Sequence, residues 1–138
     1  MSGELLLDTG ALVTLLDRSQ SHHVTFARFF ESWNRPVLST EAVLTETTHL
    51  LGRIPNGRRV CLEFFLQGAA ILIPSTPSAL RRAWELLGKY QDLPMNFADA
   101  TLVVLAEDVG TDLILTADRH DFEIYRTRDR RRFKVVPA

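Results

Sequence analysis

Four acidic residues in separate parts of the chain stand where their side chains could act together: Asp8, Glu46, Asp99 and Asp118. Asp8 directly follows the apolar run Leu5–Leu7, and Asp118 follows a second run, 113–116, by two residues. Runs this short and apolar predict strands buried on both faces. Open α/β sheets bind their ligands at the carboxyl ends of such strands. We therefore expect Asp8 and Asp118 to lie at one edge of a sheet.

The other two acids lie in predicted helices and share a face with apolar residues. Glu46 is three or four residues from members of an apolar stripe on the helix predicted over 41–51, namely Ala42, Val43 and Leu50. Asp99 precedes a similar series at spacings of three, four and seven, namely Leu102, Val103 and Ala106. Such spacing predicts that both carboxylates point inward or lie at the margin of the buried face. An isolated buried charge is costly, so each needs a cation or hydrogen-bond donors.

Each acid also has a structural alternative. Asp8 could be the N-cap of the helix that follows it. Asp99 falls at the third helical position after Asn96, where a capping-box acid lies. Asp118 could cap a short helix, and Glu46 could form an ion pair with one of the arginines.

Taken together, four carboxylates at one edge would repel one another without a compensating charge. Hard divalent cations prefer oxygen ligands, which favours Mg²⁺ or Mn²⁺ over zinc. The histidines show no ligand spacing; they are His22, His23, His49 and His120.

The elements that would carry these acids alternate along the chain. Strands are predicted at 5–7, 37–38, 69–73, 112–116 and 133–136, and helices at 11–16, 22–33, 41–51, 58–67, 78–90, 97–109 and 119–125. Ser21 is expected to cap the second helix. A buried stripe is expected on the helix 78–90, consisting of Leu80, Ala83, Trp84 and Leu87. This alternation predicts a parallel sheet with helices on both faces.

Length and composition indicate a single domain over residues 1–138. The one cysteine, Cys61, excludes an intrachain disulfide and is expected to pack in the core. No apolar run approaches the roughly 20 residues of a membrane span, and the first residues lack the pattern of a signal peptide. The expectation is a soluble cytoplasmic protein without a membrane partner.

Net charge is −1 overall, but the segment 126–134 alone carries +5. Its arginines are Arg126, Arg128, Arg130, Arg131 and Arg132. Such a cluster could contact an anionic partner, or it could be a solvated turn before the last strand.

The triplet Asp8-Thr9-Gly10 is similar to the active-site triplet of aspartic proteases. Those enzymes are all-β, whereas the remainder of this chain alternates helices and strands. The alternation disfavours a protease.

Several short motifs, in this order and at these separations, resemble PIN-domain ribonucleases of the VapC-like toxin class. They are 7–12 (Leu-Asp-Thr-Gly-Ala-Leu), 45–46 (Thr-Glu), 93–100 (Leu-Pro-Met-Asn-Phe-Ala-Asp-Ala) and 115–122 (Leu-Thr-Ala-Asp-Arg-His-Asp-Phe). The resemblance covers almost the full length. The sequence departs from it at Gly10, where many relatives have Ser, and at Asn96, where an acid is frequent.

The resemblance implies an α/β/α sandwich with a mainly parallel sheet of about five strands. It implies a catalytic cluster of Asp8, Glu46, Asp99 and Asp118, in which the three aspartates hold Mg²⁺ or Mn²⁺. Thr116 and Asp121 would be supporting residues. The implied activity is hydrolysis of RNA phosphodiester bonds, with a cognate antitoxin and a second copy of the chain as partners.

A binding module without catalysis remains an alternative. In that case the acids would be caps and ion pairs, and the arginine-rich segment would bind RNA or a protein. Convergence of the four carboxyl groups favours the nuclease, and scattered acids favour the binding module.

Overall fold

The computed structural model describes residues 3–137 and contains a five-stranded, all-parallel sheet with strand order β3-β2-β1-β4-β5. The strands are β1 (Leu5–Leu7), β2 (Val37–Thr40), β3 (Ile71–Ile73), β4 (Leu113–Leu115) and β5 (Lys134–Val136). The helices are α1 (Thr9–Leu16), α2 (His23–Ser32), α3 (Glu41–Leu51), α4 (Gly57–Leu66), α5 (Pro77–Lys89), α6 (Phe97–Val109) and α7 (Arg119–Ile124). The predicted α/β/α class is confirmed, and the all-parallel sheet is inconsistent with an aspartic protease.

The order of the strands places β1 at the centre of the sheet. From β1 the chain moves outward through β2 to β3, then crosses back to β4 on the other side of β1. Since such crossovers are right-handed, the two directions place their helices on opposite faces. In agreement, α1 packs against α2, α3 and α4, whereas α5 packs against α6. The strand order therefore reverses between β1 and β4, where open α/β sheets form ligand sites.

The core is built around β1 and α6. All three leucines of β1 are fully buried, in agreement with the prediction. In α6, the residues from Ala98 to Ala106 are buried apart from Asp99 itself. Cys61 is also buried, which confirms its predicted core position. A helix buried on most of its surface holds its first turn in a fixed place, and that turn carries Asp99.

The helices start within two residues of the predicted positions, and one predicted cap is wrong. The residue before α2 is His22, which makes no side-chain capping bond, so the predicted Ser21 cap is wrong. The amide of His23 donates instead to the carbonyl of Gln20, in a turn that leads into the helix. Strand ends differ from the predictions by one or two residues.

The buried faces of two helices are rotated from the predicted stripes. In α5, Leu86 and Ala83 are buried, whereas Leu80 and Trp84 are 49% and 68% exposed. In α3 the buried residues are Val43, Thr47 and Leu51, and Leu50 is exposed. The apolar pattern predicts the wrong buried face for α3 because the true buried face includes a polar residue, Thr47.

Among the helices of residues 3–137, none is both long enough and apolar enough to cross a membrane.

Candidate active site

Asp8 lies at the carboxyl end of β1 and is 4% exposed. Its Oδ1 accepts a hydrogen bond from the amide of Ala11 at 2.8 Å, so it is the N-cap of α1. Its Oδ2 accepts a short hydrogen bond from the hydroxyl of Thr116, which follows β4. The capping alternative is therefore correct for Asp8, but the second bond also joins Asp8 to the neighbouring strand.

Thr116 connects Asp8 to Asp118. The Thr116 hydroxyl oxygen accepts a hydrogen bond from the amide of Asp118 at 2.8 Å while donating to Asp8. Asp118 is the N-cap residue of α7; its side chain makes no capping bond of good geometry, although the backbone amide of Asp121 lies close enough to act on its carboxyl group. Asp121, one turn into α7, lies close enough to interact with Asp118 through a hydrogen bond and through charge. Thr116 and Asp121 thus both lie against Asp118, and their supporting role stays a prediction.

Asp99 occupies the first turn of α6, after the N-cap Asn96. The Oδ1 of Asn96 accepts the amide of Asp99 at 2.8 Å. The backbone amide of Asn96 lies close enough to the Asp99 carboxylate to lower its pKa, as in a capping box, and Oδ2 of Asp99 also accepts a hydrogen bond from the hydroxyl of Tyr125 at 3.1 Å. The Asp99 carboxylate therefore takes part in the helix start and also contacts a residue outside the helix.

Glu46 lies at the margin of the buried face of α3 and is half-buried. Its Oε1 accepts from the hydroxyl of Thr9 at 2.6 Å, and its Oε2 accepts from the Nδ2 of Asn96 at 3.2 Å. No arginine of the described chain forms an ion pair with it, so that alternative is wrong. Because Thr9 adjoins Asp8, the Glu46 carboxylate lies directly beside the β1 end of the cluster.

The three aspartates lie close enough for their charges to affect one another. Burial and, to a smaller extent, the charges of Asp99 and Asp118 together raise the pKa of Asp8 to about 7, although its hydrogen bonds with Thr116 and Ala11 lower it. Burial likewise raises the pKa of Asp99 to about 6, with contributions from Asp118 and Asp121. Loss of solvation and the neighbouring Asp121 raise the pKa of Asp118. The protein itself therefore provides too little positive charge to neutralise the three acids at the point between β1 and β4 where the strand order reverses.

This donor set fits a hard divalent cation, because every candidate ligand is a carboxylate oxygen. Within residues 3–137, however, no three acidic, histidine or cysteine side chains form a ready-made ligand group. Asp8 already uses both oxygens in hydrogen bonds. Mg²⁺ commonly retains several waters and takes one or two protein carboxylates, so the arrangement is compatible with that ion.

Among the predicted RNA-binding arginines, Arg131 lies at the other end of α6 from Asp99, whereas Arg126 directly follows Tyr125, whose hydroxyl contacts Asp99. Arg131 donates to the carbonyl of Gly110, eleven residues beyond Asp99, or roughly 16 Å along the helix axis. Arg126 binds three carbonyls at the end of α7, and Arg128 pairs with Glu85. Arg130 and Arg132 are exposed and form no ion pair among the described residues.

The donors that hold the acids are not predicted by the sequence pattern. The pattern indicates only a break after β1 at Thr9, a helix cap at Asn96 and a helix end at Tyr125. The role of Thr9 could have been inferred from the sequence, because Thr9 directly follows Asp8. The bond from Tyr125 to Asp99 joins residues 26 positions apart, and no sequence pattern indicates it.

The parallel sheet and the acids at its switch point define the class of this protein. The chain belongs to the PIN domain family, whose model matches residues 5–129.

Among named relatives, the chain is 29% identical to ribonuclease VapC26 of Mycobacterium tuberculosis (strain ATCC 25618 / H37Rv). The match extends over 135 residues, which are 96% of this chain and 100% of the relative.

Solved structures show the same fold. Mycobacterium tuberculosis VapC20, described as a toxin that cleaves the sarcin-ricin loop, has a TM-score of 0.78 at 23% identity, covering 84% of this chain and 91% of that one. VapBC2 from Rickettsia felis, bound to a promoter DNA fragment, has a TM-score of 0.69 at 13% identity, covering 97% and 99%. A toxin–antitoxin complex from Klebsiella pneumoniae has a TM-score of 0.64 at 16% identity, covering 86% and 89%.

Proposed function

We propose that this protein is a metal-dependent endoribonuclease that acts as the toxin of a toxin–antitoxin pair. The observation that carries the proposal is that Thr116 bonds both Asp8 and Asp118 where the strand order reverses, with Asp99 close enough for its charge to act on Asp8. Membership of the PIN family and the similarity to a named ribonuclease support the same conclusion.

In this proposal the three aspartates hold Mg²⁺ or Mn²⁺, and Glu46 holds a second ion or orients the attacking water. A bound divalent cation lowers the pKa of water and neutralises charge on the scissile phosphate. Thr116 fixes Asp8 through its hydroxyl, while Thr9 and Asn96 fix both oxygens of Glu46. Hydrolysis would leave a 5′-phosphate and a 3′-hydroxyl without a covalent intermediate on the protein.

The test is cleavage of total bacterial RNA by the purified protein, with the new ends identified by sequencing. We expect cleavage with Mg²⁺ or Mn²⁺, none in EDTA, and 5′-phosphate ends. Asp8→Asn should abolish cleavage, although the amide oxygen can still cap α1. Asp92→Asn, in an exposed loop, is the matched control and should cleave normally. Cleavage in EDTA, or full activity of Asp8→Asn, would contradict the proposal and favour a binding module.

Two partners follow from the same proposal. An antitoxin would bind this chain, as in the complexes among its structural neighbours. A second copy would cover exposed apolar side chains, which include Leu80 and Trp84 on α5 and Leu62 and Leu66 on α4. Light scattering of the purified protein should then give the mass of a dimer, and Trp84→Arg should lower it to that of a monomer; a monomeric parent protein would overturn the dimer.

A further inference from the structure

A buried tyrosine ends at the acid cluster. Tyr125 directly follows α7 and is fully buried. Its ring packs edge-on against Tyr90 and against Phe122, with ring centroids 5.2 Å apart in both pairs. Its hydroxyl donates to the Oδ2 of Asp99. Since packing fixes the ring from two sides, it also fixes the position of the hydroxyl.

The chemistry of this donor suits a carboxylate that must keep its charge. A phenol is a neutral donor, whereas Lys or Arg would bring a positive charge of its own to Asp99. Asp99 forms no ion pair with a basic side chain in the described part of the protein. Tyr125 therefore restrains the carboxylate and leaves its negative charge uncompensated.

The bond also fixes one oxygen of Asp99. Oδ2 accepts the hydroxyl of Tyr125, and no other side chain of the described residues donates to this carboxylate; the backbone amide of Asn96 is its second donor. A carboxylate held in this way can present its remaining lone pairs to a cation without losing further rotational freedom. Partners of this kind orient ligands in many metal sites.

We propose that Tyr125 is a positioning residue that holds Asp99 for a divalent cation. The inference rests on the proposed function only in requiring that the acid cluster binds such a cation. The inference assigns a role to a residue that is not one of the four predicted catalytic acids.

Tyr125→Phe tests the inference, and Tyr90→Phe is its matched control. Both substitutions remove one hydroxyl from the same aromatic cluster, but the Tyr90 hydroxyl accepts the amide of Arg126 rather than contacting an acid. Mn²⁺ binding is measured without RNA, by electron paramagnetic resonance of the free ion. We expect Tyr125→Phe to weaken Mn²⁺ binding roughly 10-fold, and Tyr90→Phe to leave it unchanged. Thermal unfolding in EDTA verifies that both variants fold.

Cleavage kinetics provide a second measurement. At limiting Mn²⁺, Tyr125→Phe should lower kcat without changing KM for RNA, and excess Mn²⁺ should restore kcat. Parent-like Mn²⁺ affinity in Tyr125→Phe, an equal loss in Tyr90→Phe, or absence of Mn²⁺ binding by the parent protein would overturn the inference. If the parent binds Mn²⁺ without cleaving RNA, the proposed nuclease function fails, while the binding comparison still decides the role of Tyr125.

Discussion

Asp8 combines a structural and an electrostatic role in one side chain. One oxygen caps α1 and the other accepts from Thr116, yet burial still raises its pKa to about 7. Hydrogen bonds thus do not offset the loss of solvation and the nearby acids. Near neutral pH without a cation, the folded protein therefore retains the Asp8 proton far more readily than the unfolded chain does.

This raised pKa predicts how stability depends on pH. Between about pH 4 and 7 the unfolded chain has an ionised Asp8 while the folded chain retains the proton, so lowering the pH stabilises the fold. Asp99, with its pKa near 6, acts in the same direction. In EDTA, the free energy of unfolding should rise by about 1–3 kcal/mol from pH 7.5 to 5.5, as measured by denaturant titration.

The control for this prediction is Asp8→Asn, which removes one of the two titrating groups and should reduce the dependence to the smaller part due to Asp99. Asp17 and Asp129 have pKa values lowered by hydrogen bonds, so their opposite effect falls below this pH window. Stability that stays level or declines from pH 7.5 to 5.5 would show that Asp8 is already ionised in the folded protein.

At the scale of elements, α6 connects two of the acids through its N-cap. The Oδ1 of Asn96 accepts a hydrogen bond from the backbone amide of Asp99, and its Nδ2 donates a hydrogen bond to Glu46. The start of α6 and the position of a carboxylate on α3 therefore depend on the same amide group.

Two substitutions separate these roles. Asn96→Ser keeps a capping oxygen but loses the donor to Glu46, so stability should stay within about 0.5 kcal/mol while RNA cleavage falls several-fold. Asn96→Ala loses both and should also destabilise by about 1 kcal/mol. Denaturant titration and cleavage assays measure the two effects. Unchanged cleavage in Asn96→Ser would mean that Glu46 does not need this donor.

Elements that depend on local patterns could be predicted from the sequence, whereas contacts between elements could not. The apolar run of β1 and the Asn96 start of α6 are local, and both predictions agree with the structure. The predicted face of α5 is wrong at Trp84 because apolar spacing does not reveal which stripe meets a neighbour. The Tyr125 donor depends on how α7 packs, which no spacing in the sequence encodes.

At the scale of the whole molecule, the acid cluster and Arg131 lie at opposite ends of α6. The acids surround its start, and Arg131 contacts the carbonyl that follows its end. An RNA bound at the acids would have to extend along the protein to reach Arg130 and Arg132.

Charge reversal tests whether RNA extends that far. Arg130→Glu with Arg132→Glu should weaken RNA binding and reduce the slope of log affinity against log salt by about 0.7 for each phosphate that these arginines neutralise in the parent protein. Arg58→Glu with Arg59→Glu, on the exposed start of α4, makes the same change in net charge elsewhere and serves as the control. Fluorescence anisotropy at several salt concentrations measures the slopes. An unchanged slope would assign the basic segment to the fold or to a protein partner.

The central claim is that the acid cluster serves a cation rather than the fold, and Asp99→Asn tests it most directly. The amide oxygen that replaces the carboxylate can still accept the Tyr125 hydroxyl, so packing is retained. Relief of repulsion among the acids should keep stability in EDTA level or raise it. Mg²⁺ or Mn²⁺ should stabilise the parent protein by binding only the folded state, and this gain should shrink in the variant.

The deciding measurement is RNA cleavage and unfolding of Asp99→Asn side by side, in EDTA and in saturating Mg²⁺. We expect cleavage to fall by orders of magnitude with no loss of metal-free stability. A helix-dipole role alone would instead cost about 0.3–1 kcal/mol and leave cleavage intact. A variant that is less stable yet fully active would contradict the assignment of Asp99 to a metal site, and most of the case for a nuclease with it.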